Sequence, residues 1–157
     1  MHTHHEAIRR VMLSINKIDG LYYLLAKRMG VNENTLAFLY ALADGQPHSQ
    51  KAISDEWLIP RTTINTIVRG MLADGYIVFS DQPHAKEKRL VLTERGQRYA
   101  GALITEVCAA EERAMAGTLR RFPPEFIAAL EDFGSRLHDE LDHISPRKKE
   151  SPIHESD

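Results

Sequence analysis

Between Ser49 and Leu92 the spacing of apolar residues changes character twice within 44 positions, and few folds accommodate such a sequence. Ser49 can cap a short helix carrying Ala52, Ile53 and Trp57, which must stop before Leu58-Ile59-Pro60 because a residue preceding proline is steered away from helical geometry. Pro60 suits the first turn of a new helix that puts Ile64, Ile67, Val68, Met71 and Leu72 on one face and ends at Gly75. Helical spacing then gives way to the run Tyr76-Ile77-Val78-Phe79, a polar stretch Ser80 to Lys88 broken by Pro83, and a second run Arg89-Leu90-Val91-Leu92. Two short helices followed by a two-stranded ribbon with a basic tip are the expected result.

The flanks read as helices. From Ala7 to Met29, Ile8, Val11, Met12, Ile15, Ile18, Leu21, Tyr22 and Leu25 recur at three- and four-residue steps, and Gly30 supplies a stop. Asn32 or Asn34 can cap a short second helix bearing Leu36, Leu39, Tyr40, Leu42 and Ala43. Thr93-Glu94-Arg95-Gly96 opens a long helix toward Arg121, and Pro123-Pro124-Glu125 opens a last one with Phe126, Ile127, Leu130, Phe133, Leu137 and Leu141. The Pro-bearing, charged tail 145–157 is expected to be disordered. The fold class is mainly α with a small β-hairpin, and the length suits a single domain over 1–157.

Charge narrows the partners. A net charge of −2 disfavours a protein that coats nucleic acid indiscriminately, so any such contact must be local. Lys51, Arg61, Arg69, Lys86, Lys88 and Arg89 gather between His48 and Thr93, whereas Phe122 to Ile144 holds Arg136 alone against six acidic residues. Arg61, Thr62, Asn65 and Thr66 lie off the apolar face, near the start of their helix, with the side-chain types that base edges need. Ser49, Gln50, Thr63 and Arg69 complete the expected DNA-contacting set on the two short helices. Cations at Lys86, Lys88 and Arg89 on the ribbon can neutralise phosphates or enter a minor groove.

The order of helices, the stretch Thr63-Ile64-Asn65-Thr66-Ile67-Val68-Arg69-Gly70-Met71-Leu72-Ala73-Asp74-Gly75-Tyr76-Ile77, and Leu90-Val91-Leu92-Thr93-Glu94-Arg95-Gly96 resemble the MarR (multiple antibiotic resistance regulator) family over residues 7–143. The resemblance implies a winged helix-turn-helix over 32–93, dimerisation helices at 7–30 and 122–144, and a connecting helix over 93–121. The helix after Pro60 takes the role of recognition helix and the hairpin that of the wing. Where the family's wing usually carries Asp-x-Arg, this chain has His84-Ala85-Lys86, and Thr66 stands where a basic residue is common. Lysine cannot reproduce arginine's planar fork.

The function so implied is a cytoplasmic, sequence-specific transcription regulator, a repressor released from a near-palindromic double-stranded DNA operator by a small, aromatic effector. By the same resemblance Tyr22, Tyr23, Phe38, Tyr40 and Trp57 border the cleft where the family takes such ligands, although aromatics at these spacings more often belong to a core. The apolar stripes of Ile8, Val11 and Ile15 and of Phe126, Leu130, Phe133 and Leu137 are wider than a small lobe can cover, which predicts a homodimer. The alternative is a winged-helix protein-interaction module or scaffold without DNA binding, which the acidic last helix favours.

Other chemistry finds little support. A single cysteine, Cys108, excludes an intrachain disulfide and suits a reducing compartment, and it reads as an inert packing residue. No leader or membrane-length apolar run is visible. His138, Asp139, Asp142 and His143 form i, i+4 pairs better explained as a solvated face than as metal ligands, and His2, His4 and His5 read as a flexible end. No catalytic motif and no cofactor signature stands out, so neither enzyme nor cofactor is expected.

Overall fold

The structure, a computed structural model, describes residues 3–80 and 87–144. The chain divides into two compact units, Met1–Ala110 and Glu111–Asp157. In chain order the elements are α1 (Thr3–Met29), α2 (Glu33–Leu42), β1 (His48–Ser49), α3 (Gln50–Trp57), α4 (Arg61–Ala73), β2 (Ile77–Phe79), β3 (Arg89–Leu92), α5 (Glu94–Leu119) and α6 (Glu125–Asp142). The expected tail 145–157 and the tip residue Lys86 lie outside the described residues.

Local chemistry sets these boundaries. The Asn32 side chain accepts from the Asn34 amide and starts α2. Ser49 Oγ accepts from the Ala52 amide and starts α3. Such caps satisfy donors that a helix leaves unpaired and contribute about 1 kcal/mol each. Gly30, Gly45 and Gly75 follow helices with positive φ. Pro60 stands just outside α4 as its N-cap residue, its carbonyl accepting from the Ile64 amide. On α1, Thr3 to Glu6 extend the helix beyond the predicted start at Ala7.

The sheet has three strands rather than the expected two, in the order β1-β3-β2. His48 and Ser49 pair antiparallel with Leu90 and Arg89. The extended conformation that lets Ser49 act as a cap, φ −79° and ψ 152°, also presents its backbone to the otherwise open edge of β3. Strands β2 and β3 pair in the register Ile77↔Leu92, Val78↔Val91 and Phe79↔Leu90.

One apolar core fills the first unit. Phe38, Leu39 and Leu42 from α2, Ile53 from α3, Ile64 from α4, Ile77 and Leu90 from the sheet are its fully buried large side chains, joined by Ala100 and Ile104 of α5. Each such side chain removed from water contributes roughly 1.5–3 kcal/mol. In the second unit α6 has no buried residue. Among the described residues no helix is long and apolar enough to cross a membrane.

Candidate nucleic-acid interface: the turn, the second helix and the ribbon

The turn between α3 and α4 is pinned from within. Ser54 is buried and its hydroxyl donates to the Ile59 carbonyl at 2.6 Å, while Ile59 itself enters the core. Within the three residues that join α3 to α4 the chain puts Leu58 in the left-handed region, φ 50° and ψ 34°. That region disfavours a residue with a branched side chain, and the leucine is left 86% exposed.

α4 is seated by Ile64, Val68 and Met71, all buried, which turns the opposite side outward. Arg61, Thr62, Asn65, Thr66 and Arg69 are exposed and Thr63 is half-buried. Five of the six residues expected to read DNA from this helix therefore face solvent. Thr66 Oγ1 donates to the Thr62 carbonyl at 3.0 Å, so its hydroxyl oxygen remains as an acceptor. On α3, Ser49 is buried and occupied as a cap, and Gln50 is half-buried. Lys51 donates to Asp55 at 2.9 Å, and that bond, with the nearby charges of Lys51 and Arg61, holds the Asp55 carboxyl below its usual range against a smaller opposing effect of burial. Arg61 thus has an acidic neighbour on the preceding helix.

On the ribbon Lys88 and Arg89 are exposed. The Lys88 ammonium lies 5.2 Å from the centre of the Phe79 ring, across the hairpin. The Arg89 carbonyl accepts from the Ser80 amide at 2.8 Å.

The root of the ribbon explains the Leu-Thr-Glu-x-Gly motif. Thr93 Oγ1 donates at 2.7 Å to the Gly75 carbonyl, lies 3.2 Å from that of Tyr76, and accepts from the Gly96 amide at 2.9 Å. One hydroxyl therefore closes the hairpin and caps α5. A β-carbon placed on Gly96 would stand 1.8 Å from the Tyr76 carbonyl oxygen, so this position admits glycine alone. The Tyr76 ring stacks on Tyr99 with centres 4.4 Å apart and planes 13° apart, and the Arg95 guanidinium lies 4.9 Å from the Tyr76 ring centre. A ring pair of this kind contributes about 0.5–1.5 kcal/mol beyond burial. Sequence reasoning passed over Ser54 and Tyr99, and gave Leu58 and Tyr76 no role beyond a helix stop and the start of a strand. The visible signals were a small polar residue shortly before Pro60 and a tyrosine shortly after the motif.

The other expected residues are placed as follows. Phe38 is fully buried in the core, while Tyr40 and Trp57 meet edge to face at 5.6 Å. Tyr22 and Tyr23 are exposed on α1, at successive positions that a helix turns about 100° apart. Ile8 and Ile15 are exposed and Val11 half-buried on α1. On α6 Leu130 is exposed, and Phe126, Phe133 and Leu137 are half-buried. Cys108 is half-buried on α5. His138 Nδ1 lies 3.6 Å from Asp139 and 3.7 Å from Asp142, all three side chains being at least 70% exposed. Among the described residues no group of three or more His, Cys, Asp or Glu is disposed to hold a metal.

Comparison with known proteins agrees with this geometry. Residues 29–87, which run from the end of α1 to the ribbon, match a MarR family model. A MarR family regulator from Neisseria meningitidis superposes with a TM-score of 0.73 at 23% identity, covering 87% of this chain and 96% of that one. A MarR family protein from Listeria monocytogenes complexed with 26mer DNA gives 0.59 at 20% identity, covering 90% and 97%. The Staphylococcus aureus MarR in complex with salicylate and kanamycin gives 0.59 at 15% identity, covering 92% and 96%. No curated protein sequence matches the chain. The chain has the winged-helix fold seen in MarR family regulators, and its segment 29–87 is similar in sequence to that family.

Proposed function

We propose that this chain is a homodimeric, sequence-specific DNA-binding transcription regulator, a repressor that leaves its operator when a small aromatic effector binds. The observation that carries the reading is α4, whose buried Ile64, Val68 and Met71 fix it to the core while Arg61, Thr62, Asn65, Thr66 and Arg69 stand free of the core on its outer side. A helix so held can enter a major groove and offer both donors and acceptors to base edges. Lys88 and Arg89 on the ribbon supply cations for the adjoining phosphates.

The DNA-bound Listeria relative supports the partner class, and the salicylate-bound Staphylococcus relative supports an aromatic acid as effector class. Two copies would present two α4 helices to half-sites about one helical turn apart, so the operator should be near-palindromic. Effector binding would then act by favouring a dimer geometry that no longer matches that spacing.

Selection from a random-sequence duplex library tests this. The expected outcome is enrichment of an inverted repeat, bound by a dimer in a salt-sensitive manner and released by salicylate or a related aromatic acid. A library that shows no enrichment, with no duplex affinity even at low salt, would assign the chain instead to a protein-interaction role. Enrichment without release by any aromatic acid would leave the DNA reading standing and remove the effector class.

A further inference from the structure

We propose that Tyr99 and Arg95, one turn apart on α5, are positioning residues for the wing: through the ring of Tyr76 they set the angle at which Lys88 and Arg89 meet DNA. The inference rests on the DNA-binding reading above and adds to it two residues that touch no nucleic acid.

The hairpin is anchored in the core on one side only. Of its strand residues only Ile77 and Leu90 are buried, while Val78, Phe79 and Arg89 are exposed. Both cations lie at the far end, since Arg89 pairs by its carbonyl with Ser80, four residues beyond Tyr76. At roughly 3.3 Å per residue that end stands about 13 Å from the root, and a 10° rotation there displaces the cations by about 2 Å. Charge-assisted hydrogen bonds to phosphate span only about 0.5 Å in length, so such a displacement breaks them.

β1 holds β3 on one side, at Leu90 and Arg89, and the rest of the resistance to rotation is at the root. The Thr93 amide bonded to the Tyr76 carbonyl and the Thr93 hydroxyl bonded to that of Gly75 close the hairpin, while among the described residues no strand flanks the outer edge of β2. The Tyr76 ring projects from the chain immediately before β2, and α5 engages it twice, by the stacked ring of Tyr99 and by the guanidinium of Arg95. Residues four apart share one face of a helix, so the two contacts hold the ring against a rigid element. Burial, with a smaller influence from Tyr76 and Asp74, pushes the Tyr99 hydroxyl above its ordinary value, in keeping with a ring enclosed at this root.

The test compares Tyr99→Ala, Tyr99→Phe and Arg95→Ala in the full chain, with a random-sequence 30-base-pair duplex as probe. Tyr99→Ala should weaken binding roughly five- to tenfold near 0.1 M salt and flatten the log–log salt slope by about one to two units, the signature of the double variant Lys88→Ala/Arg89→Ala. Tyr99→Phe keeps the stack and should keep both values, and Arg95→Ala should fall between. A second readout needs no DNA: amide exchange at Val78 and Ser80, whose amides face β3, should quicken at least tenfold in Tyr99→Ala, with the α4 amides unchanged. A wild-type slope in Tyr99→Ala, or exchange that quickens equally in α4, overturns the proposal. If the wild-type chain binds no duplex, the DNA reading fails, and the exchange contrast alone then decides whether these residues hold the wing.

Discussion

α4 and α6 are both amphipathic, yet α4 buries Ile64, Val68 and Met71 inside its own unit whereas α6 buries no residue. Periodicity marked an apolar face on each with equal clarity. Only the surroundings distinguish a face that has found its core from one that still needs a partner. α1 stands with α6 in this respect: Ile8, Met12, Leu13, Ile15 and Ile18 are all exposed, and among the described side chains of the helix only Ala26 is buried. Exposed apolar faces of this kind are what the proposed dimer would cover.

The sharpest break in the comparison is expected at Gly96, in the self-sufficient unit. Gly96→Ala brings a methyl group against the Tyr76 carbonyl oxygen, a backbone atom with no room to yield. We expect a loss of about 3 kcal/mol or more, read as a lower denaturant midpoint at unchanged slope. A variant as stable as the parent would mean that the approach of α5 to the hairpin root is looser than described.

On the other side of the comparison, the double variant Leu130→Glu/Phe133→Glu should dissociate the proposed dimer by a hundredfold or more, about 2.7 kcal/mol, because each charge would have to be desolvated at the interface. Sedimentation should show the mass of one chain while circular dichroism keeps its helical signal. A dimer of undiminished affinity would remove α6 from the interface.

Within the first unit the helix and the ribbon should fail differently. Arg61→Ala should lower affinity for the selected operator by about 1–3 kcal/mol, with the loss concentrated at particular base pairs. Lys88→Ala should weaken all duplexes alike and flatten the salt slope by about one unit. Equal, sequence-independent losses from both would erase the proposed division of labour.

What could be read from the residues alone follows the same line. Helix ends were legible because caps and breakers act over a few positions: Asn32, Ser49, Gly75 and the Pro123-Pro124 pair lie at or next to the boundaries where they stand in the structure. The outer face of α4 was legible because buried and exposed residues alternate with the helical period. β1 was not, since two residues carry no period and pair only because β3, some 40 positions later, offers an open edge. The stack of Tyr76 on Tyr99 was hidden for the same reason, being a contact between elements that sequence spacing does not bring together. Phe38, which the resemblance set beside a cleft although such aromatics more often belong to a core, is fully buried in the core.

The smallest effect sharpens the comparison at the other end of the same sheet. Asp44 accepts from the Gln46 amide at 2.8 Å and from His48 Nε2 at 2.9 Å, and these bonds, the backbone one first, hold its carboxyl below the ordinary value. They tie the end of α2 to β1, whose partner β3 carries Arg89. A carboxyl whose folded value is lowered stabilises the fold above its unfolded value, and that contribution is lost as pH falls through the folded one. Asp44→Asn should therefore be slightly less stable than the parent near neutral pH, and the gap should close as pH falls below about 4, where the parent's own carboxyl becomes protonated. Because Asp44 is exposed, the difference should be small and should shrink in high salt to the extent that the charge of His48 contributes. Stability curves measured from pH 7 to 2 decide the matter: a gap that stays constant across the range would assign the effect to shape alone and leave the charge of Asp44 without a part in holding β1.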